Sequence, residues 1–198
     1  VITVCLDAGH GEDARTSGVY DSGAEGVRGL EEAELAFQLI ESALYVARTE
    51  FPDTIKCVLT RDSRRESAPT ALRTAEAYQE GADCLISVHL NSASPSATGL
   101  ETYYRDGDAG DMVLANIVQR AMCLAFDLRD RGIKPASTTR HRRLAVLEGA
   151  TRSKPGALAE FGFITNASDI ATIFGEGSRD RRIECWRLIF QGILRMDN

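Results

Sequence analysis

Three stretches of this sequence place side chains capable of metal or proton chemistry directly after apolar runs. Ile2-Thr-Val-Cys-Leu6 leads into Asp7-Ala-Gly-His10-Gly11, the run from Asp83 ends on His89 with Asn91 just beyond, and Gly156-Ala-Leu-Ala-Glu160 delivers a carboxylate. In open α/β sheets ligands sit outside the carboxyl ends of the strands, so these residues are expected to converge on one edge. Two neutral imidazoles and one carboxylate form a catalytic zinc set that leaves a fourth position for water, whose pKa such a metal lowers to roughly 7. A single His after a strand is more often a hydrogen-bonded loop residue. Here two of the chain's three His fall at equivalent strand ends, which favours the metal reading.

A further carboxylate can come from the first helix. Glu31 and Glu32 both precede apolar positions at i+4, and periodicity does not choose between them. Glu160 lies within Ala157-Leu-Ala-Glu-Phe-Gly-Phe163, with few charge partners nearby in sequence. Burial without a partner raises the pKa of a carboxyl group, which suits a group that must pick up and release a proton. There is no HExxH, GxSxG, Walker or dinucleotide fingerprint, so the common rival hydrolase and nucleotide-binding classes lose support.

The elements that must position these residues alternate. Ile2 to Leu6, Ile55 to Thr60 and Asp83 to His89 read as strands, the last a continuous apolar run of the kind buried on both faces. Between them, helices are expected from Glu31 to about Arg48, on Leu35, Leu39, Ala43 and Ala47, and over Pro69 to Gln79. Leu100 to Tyr104 reads as an antiparallel edge strand. A helix follows from about Gly110 to Phe126 on Leu114, Ile117, Val118, Ala121 and Leu124. Leu144 to Leu147 and Ala157 to Phe161 read as the last strands. The final helix, about Ser178 to Met196, carries Ile183, Trp186, Phe190, Ile193 and Leu194, with Ser178 or Asp180 as its cap. The expectation is one α/β domain over residues 1–198: three α/β/α layers around a mixed, mainly parallel sheet of about six strands.

Composition narrows the partners. With 198 residues, 43% hydrophobic, 26% charged and no apolar run near the roughly 20 residues of a membrane span, a water-soluble fold is expected. A net charge of −6 argues against nucleic acid. The one basic cluster, Arg140 to Arg143, is small, and its ordinary reading is a solvated loop. Cys5, Cys57, Cys84, Cys123 and Cys185 are an odd set with no CxxC pair, so free thiols are expected, fitting a reducing compartment. No leader precedes the first strand, which leaves a removed signal, an excised domain or cytoplasmic synthesis.

The ordered series of motifs resembles the zinc-dependent N-acetylmuramoyl-L-alanine amidase family of autolysins and phage endolysins. The resemblance runs through Leu6-Asp-Ala-Gly-His-Gly11, Asp21-Ser-Gly-Ala24, Gly29-Leu-Glu-Glu32, Leu59-Thr-Arg61, Arg73, Gly81-Ala-Asp83, Ile86-Ser-Val-His-Leu-Asn91, Asp130-Arg-Gly-Ile-Lys134 and Leu158-Ala-Glu-Phe-Gly-Phe-Ile-Thr-Asn166. It implies one Zn2+ per chain on His10, Glu32 and His89, so Glu32 over Glu31, and Glu160 as catalytic acid and base. It further implies hydrolysis of the amide joining the lactyl group of N-acetylmuramic acid to L-alanine in bacterial peptidoglycan, on the outer side of the membrane. Asn91 and Arg142 are expected substrate contacts. A separate wall-binding domain can lie outside this chain, and the free cysteines tilt the reading toward a phage-type lysin. The departures are about seven extra residues from Glu12 to Val19, a longer and more basic segment from Pro135 to Lys154, and Val146-Leu147-Glu148 where family members often carry an Arg. The rival readings are a zinc peptidase cutting within the stem peptide and a non-catalytic wall-binding module.

Overall fold

Residues 1–12, 19–63, 78–148 and 154–196 are described by the computed structural model of the chain. Ile2–Ala8 forms β1, and the two-residue strands Gly11–Glu12 (β2) and Tyr20–Asp21 (β3) pair with each other just beyond it. Then follow α1 (Glu32–Glu50), β4 (Ile55–Leu59), β5 (Cys84–Asn91), β6 (Leu100–Tyr104), α2 (Ala109–Phe126) and β7 (Asp130–Pro135). The chain continues through α3 (Ala145–Glu148), β8 (Gly156–Phe163), α4 (Ala167–Phe174) and α5 (Arg179–Ile193).

The six longer strands make one sheet in the order β4-β1-β5-β8-β6-β7. All neighbours run parallel except β6 against β8. Helices cover it in a three-layer α/β/α arrangement, as expected. One face packs on α1, α2 and α5, with Phe37, Ile40, Leu114, Val118, Trp186 and Phe190 in its core. On the other face Cys5, Leu85 and Leu158 pack with Val146 and Leu147 of α3. Successive strand residues face opposite sides. On β8, Phe161 therefore enters the first core, with its ring 6.2 Å from those of both Phe126 and Trp186. That packing fixes which way its neighbour Glu160 points, since a one-residue slip would turn the acid inward.

Several expectations need correction. Leu144 to Leu147 is not a strand: Ala145–Glu148 is a helical turn that buries Val146 and Leu147, and so short an apolar run carries no decisive period. Its place in the strand count is taken by β7, to which the sequence pattern assigns no element: DRGIKP has no apolar run and no fully buried position. β6 is antiparallel but not at the edge, since β7 covers it. Leu124 of α2 is 69% exposed, and Met122 and Phe126 fill the core instead. The final helix runs over Arg179–Ile193, and the Ser178 hydroxyl donates to Gly175 O at 2.6 Å rather than capping it. The helix expected over Pro69 to Gln79 falls almost wholly outside the described residues, as does Arg73. The five cysteines are free thiols. Among the described residues no helix is long and apolar enough to cross a membrane.

Candidate metal centre

After β1 the chain passes through Gly9 into His10, which is held at φ 60°, a left-handed conformation that His adopts more readily than most side chains. Two glycines make room for the rings. A Cβ on Gly9 would lie 2.3 Å from Cε1 of His89, and one on Gly23, itself at φ 69°, would lie 2.7 Å from Cδ2 of His10. His10 Nδ1 is 2.8 Å from Asp21 Oδ2, so the β2–β3 ladder orients that ring. This leaves Nε2 facing Glu32 Oε2 at 3.2 Å.

Glu32 opens α1 and is 4% exposed. Its Oε1 is 2.9 Å from His89 Nδ1, while the backbone N–H groups of Leu90 and Ala24 donate to its two oxygens at 3.1 and 3.0 Å. Glu31 instead accepts from the Tyr20 hydroxyl at 2.8 Å and takes no part in the cluster. The ligand atoms of His10, Glu32 and His89 all lie within 4.8 Å of one another. Two imidazole nitrogens and one carboxylate oxygen, each braced by an outer hydrogen bond or by close packing, match the donor chemistry of a catalytic zinc site.

The electrostatics fit a cation. Burial opposes charge on His10, but hydrogen bonding and attraction from Glu32 and then Asp21 outweigh it and raise its pKa to about 9. Burial likewise works against a charged Glu32, yet the hydrogen bonds and charges of His10 and His89 hold its carboxyl well below the usual range. Asp21 is also lowered, its His10 and Gly23 hydrogen bonds overcoming burial.

Glu160 stands level with His89 on one side and with Glu101 of β6 on the other. Burial first, then repulsion from Glu32 and Glu101, pushes its pKa well above that of an ordinary carboxyl. Its Oε2 is shut from solvent and, among the described residues, has no hydrogen-bond partner. Glu101, 2% exposed, carries its charge differently. It accepts from Arg131 Nε and Tyr103 Oη at 2.7 and 2.9 Å, and from Lys134 Nζ and Asn91 Nδ2.

Asn91 is thus brought beside the centre, held by Glu101. Arg142 is not. It lines a cleft of about 270 Å³ with Arg105, Asp106, Ser137, Arg143 and Glu148. Arg105 follows β6, which runs against β8, and its Nη2 donates to Lys154 O at 2.9 Å, just ahead of β8. The cleft therefore lies toward the opposite end of the sheet, about 13 Å from Glu160 at the rise of four strand residues. Two features were missed from sequence. Asp21 sits in a quoted motif, yet nothing in its spacing shows that it faces His10. Glu101 carries a weak signal, an acid inside the strand-like Leu100-Glu-Thr-Tyr-Tyr104.

The amidase_3 family model, described as N-acetylmuramoyl-L-alanine amidase, matches residues 4–194. The chain belongs to this family. Among relatives, the uncharacterized protein YqiI of Bacillus subtilis (strain 168) is 33% identical over 84% of this chain and 72% of its own. N-acetylmuramoyl-L-alanine amidase CwlM of Bacillus licheniformis is 29% identical over 85% of this chain, which spans only 59% of that relative's length. The crystal structure of an N-acetylmuramoyl-L-alanine amidase from Clostridium difficile 630 superposes with a TM-score of 0.82 at 28% identity, covering 100% of this chain and 98% of that one. That crystal structure thus shares the overall fold in which His10, Glu32, His89 and Glu160 come together here.

Proposed function

We propose that this chain hydrolyses the amide between the lactyl group of N-acetylmuramic acid and L-alanine in bacterial peptidoglycan, using one zinc ion held by His10, Glu32 and His89. The observation that carries this reading is a compact His–Glu–His cluster beside Glu160, whose Oε2 is shut from solvent and has no partner among the described residues. When bound, zinc would supply Lewis acidity for the scissile carbonyl and lower the pKa of a water.

The chain's own groups divide the remaining work. Asp21 fixes the His10 ring so that Nε2 faces the cluster, and the Ala24 and Leu90 amides fix Glu32. Glu160 takes the proton of the attacking water and returns it to the departing L-alanine nitrogen. One amide bond breaks, one C–O bond forms, and one carboxyl and one amine result. Asn91 contacts substrate next to Glu160, and Arg142 contacts an anionic part of it farther along the same sheet. The catalytic unit spans residues 1–198 and acts on the wall side of the bacterial membrane.

The test is digestion of purified peptidoglycan with and without a chelator, followed by product analysis. The expected result is a new L-alanine amine without new reducing sugar, abolished by chelation and restored by zinc. A cut within the stem peptide would replace this reading with a peptidase, and intact wall in the presence of zinc would leave a binding module.

A further inference from the structure

Arg61 follows β4 and is 3% exposed. A buried guanidinium is costly unless its fork of donors is satisfied. Here Nε donates to Ala8 O at 3.0 Å, Nη2 to Gly9 O at 3.1 Å and Ala33 O at 2.7 Å, and Nη1 to Ser63 O at 2.9 Å. The plane also lies over the Phe37 ring of α1, 5.2 Å from its centroid.

These carbonyls are not scattered. Ala8 and Gly9 immediately precede His10, and Ala33 immediately follows Glu32. The Gly9 amide in turn donates to Val88 O, next to His89, at 2.9 Å. One side chain therefore joins the strand exit that carries the first imidazole to the helix start that carries the carboxylate, and through Gly9 it reaches the strand that carries the second imidazole. We infer that Arg61 is a positioning residue, presetting His10, Glu32 and His89 for a metal ion through their backbones without touching the ion itself. The zinc aspect rests on the metal reading above.

Arg61→Lys keeps the charge but replaces a planar fork by a single ammonium, whose three donors radiate from one nitrogen and cannot serve all four carbonyls. The control is Arg182→Lys. Arg182 is another buried guanidinium, and its Nη1 donates to Ile173 O and the Ser178 hydroxyl, in the α4–α5 connection away from the cluster. Both variants are compared with the parent in metal-free thermal unfolding, in zinc affinity by chelator competition, and in the imidazole 15N–1H NMR spectra of His10 and His89. Arg61→Lys is expected to lose about 10–100-fold in zinc affinity, the range for outer groups that orient ligands, and to shift both imidazole spectra. Arg182→Lys is expected to lower the unfolding temperature while leaving affinity and spectra at the parent values. Parent affinity and spectra in Arg61→Lys, or equal losses in Arg182→Lys, would overturn the positioning role. A parent protein that takes up no zinc would refute the metal reading instead, and the imidazole spectra would then decide for or against Arg61 alone.

Discussion

The proton affinities of Glu160 and His10 are raised for opposite reasons, and each makes a separate prediction. Burial, then the carboxylates around it, raise the pKa of Glu160 well above that of an ordinary carboxyl. Glu160→Gln preserves its shape and removes its proton chemistry, so turnover on a muramyl peptide should fall by roughly two to four orders of magnitude. Zinc content and melting temperature should stay near the parent values. A variant that keeps most of its turnover would end the assignment, and one that loses its zinc would make Glu160 a ligand. His10 is kept charged by Glu32 and Asp21, with its pKa up from 6.5 to about 9. In the metal-free fold that charge contributes stability that is complete below about 6.5 and lost as pH rises through about 9. Zinc requires the neutral ring, so binding at pH 7.5 should release close to one proton from this site, and affinity should weaken as pH falls. Calorimetry in buffers of different ionisation enthalpy reads that proton, and a binding heat independent of buffer would contradict it.

At the scale of elements, the geometry depends on turns and caps as much as on the strands. Gly23→Ala would drive a methyl into the His10 ring at a backbone angle that disfavours it, and should lower zinc occupancy measured by elemental analysis. Asn166 caps α4, its side-chain oxygen accepting from the Ser168 and Asp169 amides at 2.9 and 3.0 Å. Asn166→Ala should cost about 1–2 kcal/mol, or roughly 2–8 °C in Tm, with metal uptake unchanged. The ease of reading these elements from sequence followed their burial. β1, β5 and β8 are apolar on both faces, so their pattern alone places His10, His89 and Glu160 at one sheet edge. β7 and Leu144 to Leu147 were exchanged because an exposed edge strand looks like a loop and a buried single turn looks like a strand. Glu32 could not be separated from Glu31 by periodicity, because the choice depends on which acid meets the amides of Ala24 and Leu90, which only the tertiary fold determines. Asp21 was invisible for the same reason.

Over the whole molecule, side chains of both signs meet at one cleft. In a protein of net charge −6, Arg105, Arg142 and Arg143 line it together with Asp106, Asp108 and Glu148. Replacing Arg140, Arg142 and Arg143 together by Gln should weaken binding to purified walls at low ionic strength and flatten its dependence on salt, as sedimentation at two salt concentrations would show. Unchanged binding would return the segment to a solvated loop. The sheet order has a further consequence, in the order of synthesis. The cluster residues His10, Glu32 and His89 all lie on elements made before residue 92, whereas Glu160 arrives on β8, the last strand, beside an already central β5. At about 5–20 residues per second, the ribosome therefore makes the metal-holding part of the centre several seconds before the proton-transferring part. A nascent chain stopped before β8 lacks its acid whatever else has folded, so on the proposed mechanism the chain cannot attack its substrate until most of it has been made.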